Sequence, residues 1–229
     1  MTDSRPRIAM ISGASRGIGA AIAARLAASG WGLSLGMRQP KPVGEAFVHE
    51  YEAGRPEAEQ DWVAATVAHF GRIDAIICNA GIYAETSVVE ATDAEMAALL
   101  SVNVLAPQRL ARAAWPYLAD HGRGRAIIIS SLSGLRVASA GSGAYAMTKF
   151  AATALAHGLR HAGWDLGIRA TAICPGYVAT DMAMAITDTP AKMMTQPDDV
   201  ARLVELALDL PNSASVAEMS VNCGVEGRL

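Results

Sequence analysis

The 229-residue chain is poor in cysteine, in aromatic residues and in net charge of either sign. It has only three cysteines, and 5% of its residues are aromatic. Cysteines that are odd in number and widely spaced (Cys78, Cys174 and Cys223) exclude a disulfide framework and a zinc ribbon. The 19 basic residues balance 22 acidic ones, so the chain has no overall attraction to nucleic acid and no such partner is expected.

A long hydrophobic run and a secretion signal are also missing. No stretch of about 18 apolar residues occurs, so a membrane span and a membrane partner are not expected. The segment Met1–Arg7 is polar and the apolar run after it is short, which does not fit a signal peptide. Because 52% of the residues are hydrophobic, the chain can bury a substantial core. We expect a globular cytoplasmic protein.

Short apolar segments alternate with alanine-rich stretches along the chain. Segments that are apolar on both faces predict strands at Ile8–Ile11, Gly32–Met37, Ala75–Cys78, Ala126–Ser130, Arg169–Cys174 and Val216–Asn222, with a weaker candidate at Ala46–His49. Helical spacing predicts helices at Ile18–Ala28, Glu57–Phe70, Asp93–Tyr117, Ser142–Ala162 and Pro197–Leu208. This order predicts an α/β fold with a Rossmann-type doubly wound parallel sheet. No linker or repeat divides residues 1–229, so a single domain is expected.

Three glycines, Gly13, Gly17 and Gly19, follow the first predicted strand and open the first predicted helix. Glycines at this spacing let the backbone turn tightly and approach a pyrophosphate, which the N-terminus of the helix attracts. The segment Ser12–Gly19 therefore predicts a dinucleotide site. The alternative is an ordinary glycine-rich turn between a strand and a helix.

Tyr145 and Lys149 lie four residues apart in a predicted helix, so their side chains share one face. A lysine ammonium beside a phenol favours the phenolate and lowers the tyrosine pKa from about 10. Such a tyrosine can both donate and accept a proton. The same spacing is also common on solvated helix faces, so the pair alone leaves both interpretations open.

Other polar segments stand where parallel sheets place their ligands. The segments Cys78–Gly81, Ser130–Gly134 and Pro175–Thr180 each follow a predicted strand, and each could otherwise be a polar turn. Asn103 lies inside a predicted helix, where asparagine is mildly unfavourable. A specific role for Asn103 is one explanation.

Together these segments resemble the single-domain branch of the short-chain dehydrogenase/reductase family, from Arg7 to about Asn222. The resemblance implies that Tyr145 is the general acid in reduction and the base in oxidation. It implies that Lys149 lowers the pKa of Tyr145 and holds the nicotinamide ribose. It also implies that the backbone carbonyl of Asn103 binds a water that relays protons to Lys149.

The resemblance further implies contacts to substrate and cofactor. Ser131, rather than Ser130 or Ser133, would hydrogen-bond the substrate carbonyl. Asn79 would secure neighbouring strands and border the cofactor, and Val178 and Thr180 would orient the carboxamide. The residues expected around the cofactor are Gly13, Ser15, Arg16, Gly17, Ile18, Gly19, Arg38, Asn79, Ala80, Gly81, Tyr145, Lys149, Pro175, Gly176, Val178 and Thr180. No metal is expected.

Charge near the second strand favours NADP(H) over NAD(H). A site for NAD commonly has an acid at the end of that strand, but here the strand ends at Met37 and is followed by Arg38. Arg16 is a second cation in the glycine segment. Two guanidinium groups suit a 2′-phosphate. Either arginine could instead simply face water.

Two features depart from the family pattern. Between Arg38 and Phe47 the chain has two prolines and a glycine, which exclude the helix that the family has between its second and third strands. The acid that meets the adenine has no clear match, and Glu50, Tyr51 and Glu52 are all candidates. Four methionines after Thr180 could line the substrate pocket or simply pack: Met182, Met184, Met193 and Met194.

The sequence thus predicts an NADP(H)-dependent enzyme that interconverts a carbonyl and a secondary alcohol. A non-catalytic NADP(H)-binding sensor or scaffold on the same fold is the alternative. An epimerase or dehydratase of nucleotide sugars needs an additional C-terminal domain and is disfavoured. The resemblance implies a homo-tetramer or homo-dimer that assembles through Asp93–Tyr117 and Ser142–Ala162.

Overall fold

The computed structural model describes residues 5–225, so both ends of the predicted domain 1–229 and part of the polar segment Met1–Arg7 lie outside the described residues. Seven strands form one parallel sheet in the order β3-β2-β1-β4-β5-β6-β7. The strands are β1 Ile8–Ser12, β2 Gly32–Met37, β3 Phe47–Glu50, β4 Ala75–Cys78, β5 Arg125–Ile129, β6 Arg169–Pro175 and β7 Glu218–Val221. The predicted Rossmann-type fold is confirmed, including the weak candidate for β3.

Helices cover both faces of the sheet. They are α1 Gly17–Ala28, α2 Ala58–Phe70, α3 Asp93–Leu100, α4 Ala106–Ala119, α5 Gly143–Gly163, α6 Asp181–Met184 and α7 Pro197–Asp209. On one face α1 and α7 contribute Ile22, Leu26, Val200 and Val204 to the core. On the other face α2, α4 and α5 contribute Trp62, Leu110 and Ala152. The five inner strands are predominantly apolar because both of their sides are buried, whereas the edge strands β3 and β7 are only partly buried.

The helix predicted over Asp93–Tyr117 is not one regular helix. A π-helical turn, Ser101–Leu105, separates α3 from α4, and the N–H of Ala106 reaches back to the carbonyl of Ser101. Pro107 explains part of this irregularity. It has no N–H to donate to the carbonyl of Asn103 four residues earlier, and its ring disfavours a regular α-helical turn there.

The segment between β2 and β3 contains no helix, as the prolines and the glycine predict; residues 38–46 are all described. Gly44 has a φ of 50°, and the N–H of Ala46 donates to the carbonyl of Val43 in a tight turn. Val43, Ala46 and Val48 are half-buried against the core beneath α1. A short apolar loop therefore takes the place of a helix on this face.

The carboxyl ends of five neighbouring strands share one edge of the sheet. The segments that follow β1, β2, β4, β5 and β6 contain most of the predicted site residues. This edge is where parallel sheets bind their ligands. In the described part of the chain, no helix is long and apolar enough to cross a membrane.

Candidate active site

The glycine loop after β1 is held against the loop after β4 by hydrogen bonds. The hydroxyl of Ser12 accepts from the N–H groups of Asn79 and Ala80, each at 3.0 Å. The amide nitrogen of Asn79 donates to the carbonyls of Ser12 at 3.0 Å and Gly13 at 3.1 Å. Asn79 thus joins two adjacent strands, as the resemblance implies, and Ser12 is a partner that the sequence analysis did not single out.

Two positions of this loop accommodate glycine much better than a residue with a side chain. Gly13 has a φ of 67°, in the left-handed region. A Cβ on Gly19 would lie 2.3 Å from the carbonyl oxygen of Gly13 and 2.6 Å from the side-chain nitrogen of Asn79. The first turn of α1 can approach the end of β1 this closely only because residue 19 has no side chain.

The N-terminus of α1 is suited to an anionic ligand. No side chain caps it, and its first turn contains no acid. Its first N–H groups have no intrahelical acceptors, and the helix dipole is positive at this end. Ser15 is exposed on the loop, while Ile18 is half-buried against the core. These residues fit the pyrophosphate of a dinucleotide.

Tyr145 and Ser131 form the hydroxyl pair of the site. Tyr145 lies in the first turn of α5. The Ser131 hydroxyl, just after β5, donates to the carbonyl of Pro175 at 3.4 Å and lies near enough to the phenol to lower its pKa. The Tyr83 ring packs edge-to-face on Tyr145 with 5.0 Å between ring centroids. Sequence reasoning missed Tyr83, although it stands two residues after the Asn79–Gly81 segment.

The other two serines of this segment have different surroundings. Ser130 is buried, and its hydroxyl donates to the carbonyl of Lys149 at 3.0 Å and lies 2.8 Å from the hydroxyl of Thr153. Ser133 contributes its backbone N–H, which donates to the Ser131 hydroxyl at 3.1 Å. These contacts make Ser131 the serine hydroxyl beside the phenol.

Lys149 is buried next to Tyr145. Only 6% of the residue is exposed. Its Nζ donates to the carbonyl of Ile129 at 3.0 Å and lies 5.6 Å from the centroid of the Tyr145 ring. Burial lowers the pKa of Lys149 to about 8. A Cβ on Gly81 would lie 3.7 Å from this Nζ, so the loop after β4 passes directly beside it.

The pKa of Tyr145 does not follow the expectation from the sequence. Burial raises it above its ordinary value, the nearby Ser131 hydroxyl lowers it, and Tyr83 raises it further. The expected lowering by Lys149 is therefore not what this structure shows. Desolvation of the phenolate is the largest of these effects, and Lys149 contributes no lowering of this pKa.

Asn103 lies in the π-helical turn and is 2% exposed. Its side-chain oxygen accepts from the N–H of Ile82 at 2.9 Å. Its side-chain nitrogen donates at 3.0 Å both to the carbonyl of Ile82 and to the hydroxyl of Thr148. Thr148 in turn donates to the carbonyl of Tyr145 at 2.8 Å. Thr148 thus links Asn103 to α5. The sequence offered one indication of this role, because Thr148 lies between Tyr145 and Lys149.

The segment after β6 packs against the glycine loop. Pro175 ends β6, and a Cβ on Gly176 would lie 2.2 Å from the Asn222 side-chain oxygen. The hydroxyl of Thr180 donates to the carbonyl of Val178 at 3.2 Å, and Val178 is 4% exposed. A Cβ on Gly17 would lie 3.1 Å from the Thr180 methyl group. The two predicted cofactor segments therefore meet.

The two arginines proposed for a 2′-phosphate differ in their surroundings. The guanidinium of Arg16 forms an ion pair with Asp181, the first residue of α6. Arg16 is therefore not the free cation that the sequence suggested, because a residue distant in the chain is folded against it. Arg38 is exposed directly after β2, and no carboxylate among residues 5–225 pairs with it.

The structure narrows the candidates for the adenine contact. Tyr51 is 3% exposed, its hydroxyl donates to the Glu59 carboxylate at 3.0 Å, and its ring packs on Trp62. Burial removes Tyr51 from any ligand surface. Glu50 and Glu52 are both exposed, and Glu50 is the register partner of Met37 at the end of β2.

The methionines after Thr180 have two different surroundings. Met194 is 5% exposed and packs in the protein, while Met182, Met184 and Met193 are exposed by 42%, 53% and 62%. This segment contains only the four residues of α6 and a short 3-10 turn at Ala191–Met193. Three of the four methionines are therefore accessible to a ligand or a partner.

Known proteins resemble this chain over most of its length. A family model described as short chain dehydrogenase matches residues 7–191. Agropine synthesis reductase of Rhizobium rhizogenes is 40% identical over 225 residues, which cover 94% of this chain but only 52% of that protein. The chain thus spans about half the length of this relative. Acetoacetyl-CoA reductase of Shinella zoogloeoides is 28% identical, with 95% of this chain and 98% of that protein covered.

Solved structures give the same result. An alcohol dehydrogenase from Thermococcus sibiricus, complexed with 5-hydroxy-NADP, has a TM-score of 0.84 and 28% identity, and the match covers 97% of this chain and 99% of that one. A short chain dehydrogenase from Burkholderia cenocepacia in complex with NADP has a TM-score of 0.85, with the same identity and coverage. Since the family model spans most of the chain and these folds superpose over nearly all of it, the protein belongs to the short-chain dehydrogenase/reductase family of oxidoreductases.

Proposed function

We propose that the protein is an NADP(H)-dependent oxidoreductase that interconverts a carbonyl and a secondary alcohol, with Tyr145 as the acid/base. The observation that carries this proposal is the Tyr145–Ser131 hydroxyl pair beside the buried Lys149. Two hydroxyl groups this close to each other can both hydrogen-bond a single carbonyl oxygen. A proton donor in that place is what carbonyl reduction requires.

The residues in the site have distinct tasks in reduction. The glycine loop after β1 and the segment after β6 would hold a nicotinamide cofactor, which would supply a hydride to the carbonyl carbon. Tyr145 donates its phenolic proton to the carbonyl oxygen, while Ser131 holds that oxygen by a hydrogen bond. The phenolate left on Tyr145 is stabilised by the Ser131 hydroxyl. In oxidation the same phenolate accepts the alcohol proton.

Lys149 returns to Tyr145 the proton that the phenol loses, and the backbone carbonyl of Asn103 would hold the water that passes a proton from solvent to Lys149. The pKa of Lys149, about 8, lets the ammonium give up a proton near neutral pH at little cost. Pro107 cannot donate to the backbone carbonyl of Asn103, which leaves that oxygen available to a water molecule. The side-chain bonds of Asn103 to Ile82 and Thr148 fix the position of this carbonyl. The proton path would run from solvent through this water to Lys149.

The proposed preference for NADP(H) depends on Arg38. It is an exposed cation at the end of β2, and β2 ends without an acid. A guanidinium at this place can bind a 2′-phosphate through charge-assisted hydrogen bonds. Two structural neighbours described as complexes with NADP or 5-hydroxy-NADP support the preference by analogy.

Reduction is the proposed direction, because two of the curated relatives are named as reductases. The proposed substrates are small carbonyl compounds. The short segment after β6, with three exposed methionines, suits an adaptable apolar wall beside the Tyr145–Ser131 pair.

The test is a screen of NADPH oxidation against aldehydes, ketones, keto sugars and 3-oxoacyl thioesters such as acetoacetyl-CoA, repeated with NADH. We expect steady turnover with at least one class, faster with NADPH, and its loss in Tyr145→Phe. Tight NADPH binding without turnover of any carbonyl or alcohol would instead support a non-catalytic sensor. Equal turnover by Tyr145→Phe would contradict the proposed role of the phenol.

A further inference from the structure

A basic cavity lies at the edge of the sheet opposite the candidate active site. Its volume is about 300 Å³, and it is lined by Arg7, Trp31, Arg72, Asp74, His121, Arg123, Arg125 and Leu208. Arg7 directly precedes β1 and Arg125 begins β5, whereas Tyr145, Ser131 and the glycine loop stand at the carboxyl ends of the strands. A ligand in this cavity would therefore not overlap the dinucleotide or the reacting carbonyl.

The charges around the cavity do not balance. Four arginines face one carboxylate, that of Asp74, and the His121 Nε2 lies 3.3 Å from that carboxylate. Asp74 is already occupied, because it accepts from the backbone N–H of Ile8 at 2.8 Å and forms an ion pair with Arg72. The guanidinium of Arg7 is paired with Asp209. The excess positive charge of the cavity therefore comes from the two remaining arginines, Arg123 and Arg125.

Neither of these two arginines has a carboxylate partner in the part of the chain that the structure describes. Arg123 donates to the backbone carbonyl of Asp209 at 3.2 Å. Arg125 donates to the carbonyl of Leu210 at 2.6 Å and to the Asn212 side-chain oxygen at 3.0 Å. These neutral acceptors orient the guanidinium groups and leave their charge uncompensated.

Two buried donors that belong to cavity-lining residues have no acceptor within residues 5–225. They are the Nε of Arg125 and the Nε1 of Trp31, on residues that are 2% and 6% exposed. Buried donors of this kind are uncommon in folded proteins, because each has lost water without gaining a protein acceptor. An oxygen-rich ligand would provide acceptors to such donors.

The lowered pKa of Arg125 agrees with an uncompensated positive charge at this cavity. Its pKa falls to about 10 because it is buried and because Arg123, Arg169 and Arg7 repel its charge. A bound anion would offset that repulsion. The Arg7 guanidinium lies 4.1 Å from the Trp31 ring centroid, so the indole face and a cation are stacked at the same cavity.

We propose that this cavity is a binding site for a small oxyanion, a phosphate- or carboxylate-bearing metabolite, held by Arg123, Arg125 and Trp31. The volume is at the lower end of ordinary ligand pockets, which suits one small molecule and excludes a dinucleotide. Arg123 is exposed and supplies an accessible charge, while Arg125 and Trp31 supply buried donors. No active-site residue takes part.

The same arginines also bind carbonyls at the carboxyl end of α7, so a purely structural role has to be distinguished from anion binding. A structural arginine stabilises the fold whatever anions are present. A binding arginine makes the stability depend on the anion, since a ligand that binds only the folded state raises its apparent stability. Thermal unfolding and calorimetric titration with defined anions separate the two roles.

The experiment titrates the intact protein with inorganic phosphate and, separately, with citrate, in a low-salt chloride buffer with and without saturating NADP⁺. We expect saturable binding and a rise in melting temperature that persist with NADP⁺ bound. Arg123→Ala should weaken binding at least tenfold, Arg123→Lys less, and Trp31→Phe about threefold, because Phe keeps the ring but removes Nε1. Tighter binding of phosphate than of citrate would identify a phosphoryl ligand, and tighter binding of citrate would identify a carboxylate ligand.

Two matched variants complete the design. Arg112→Ala removes an exposed arginine on α4, and Arg38→Ala removes the cation proposed for the 2′-phosphate; both should leave anion binding within twofold of the wild type. Absence of saturable binding to the wild-type protein would overturn the proposal. Equal binding by Arg123→Ala, or loss of binding in Arg38→Ala or on addition of NADP⁺, would place the anion elsewhere and would also overturn it.

Discussion

The guanidinium group of Arg16 forms an ion pair with the carboxylate of Asp181, two residues that lie 165 positions apart in the sequence. Arg16 precedes the first residue of α1, and Asp181 is the first residue of α6. The pair connects the glycine loop to the segment after β6. Asp181 therefore competes with any anion that Arg16 could bind.

The first prediction concerns this competition. Asp181→Asn keeps the shape of the side chain but removes its charge, which frees Arg16 for a 2′-phosphate. Because exposed ion pairs contribute roughly 0.2–1 kcal/mol, we expect NADPH to bind about 1.4- to fivefold more tightly and NADH to bind with unchanged affinity. Calorimetric titration with both cofactors is the measurement. Asp165→Asn, which removes an exposed acid elsewhere, is the control and should change neither affinity.

The second prediction concerns Arg38. If it binds a 2′-phosphate, Arg38→Ala removes a charge-assisted hydrogen bond of about 1.5–3 kcal/mol and weakens NADPH about ten- to a hundredfold. NADH, which has no such phosphate, should bind equally well to both proteins. Met37→Asp should shift the preference toward NADH. The measurement is kcat/KM for both cofactors in the wild type and the variants. A wild-type enzyme that prefers NADH would refute the role of Arg38.

The third prediction concerns the phenolic proton of Tyr145. Tyr145→Phe keeps the ring against Tyr83 and removes only the hydroxyl. We expect kcat to fall about 10²- to 10⁴-fold with little change in the cofactor Kd, because general acid catalysis contributes that much. Tyr117→Phe, near the end of α4, is the matched control and should retain full activity. More than about a tenth of the wild-type rate in Tyr145→Phe would refute the role of the phenol.

The fourth prediction concerns the stability of the fold around Lys149. Its pKa in the folded protein, about 8, is below the ordinary value of 10.5, so between these pH values the unfolded chain binds more protons. This group therefore makes the free energy of unfolding rise with pH between about 8 and 10.5, and it is destabilising below pH 8.

Replacing the ammonium by an apolar side chain should remove that destabilisation. We expect Lys149→Met to be more stable than the wild type at pH 7 by roughly 1–3 kcal/mol and inactive, with the difference in stability shrinking toward pH 10. Denaturant unfolding of both proteins at pH 7 and pH 10 provides the measurement. A difference that stays constant with pH would mean that packing, and not charge, accounts for it.

The fifth prediction concerns assembly through α5. Ala152 and Ala156 are buried against the sheet, but Met147, Phe150, Ala154 and Gly158 form an exposed stripe at helical spacing. We expect a homo-dimer or homo-tetramer that buries this stripe. Light scattering at micromolar concentration should give a multiple of the 23.8 kDa chain mass, and Ala154→Arg should reduce it. Val89→Arg, at a loop residue 90% exposed, should leave the mass unchanged.

The sequence was sufficient to predict the elements whose causes are local. Apolar runs marked the five inner strands of the sheet, because strands buried on both faces need apolar side chains at successive positions, and the partly buried edge strands gave weaker patterns. The glycines at 13, 17 and 19 predicted the turn from β1 to α1. The prolines and the glycine between Arg38 and Phe47 predicted the missing helix. In each case the backbone requirement is met by residues adjacent in the chain.

Properties that depend on distant residues were decided only by the tertiary structure. The pKa of Tyr145 is raised by burial and by Tyr83 and lowered by Ser131, and these three residues come from three different segments of the chain. The pairing of Arg16 with Asp181 and the basic cavity around Arg125 join residues from opposite parts of the chain. Desolvation and Coulomb interactions depend on spatial distance and burial, which the order of residues does not specify. The sequence therefore determined the fold and the position of the site, while the folded arrangement determined the charge state of its side chains.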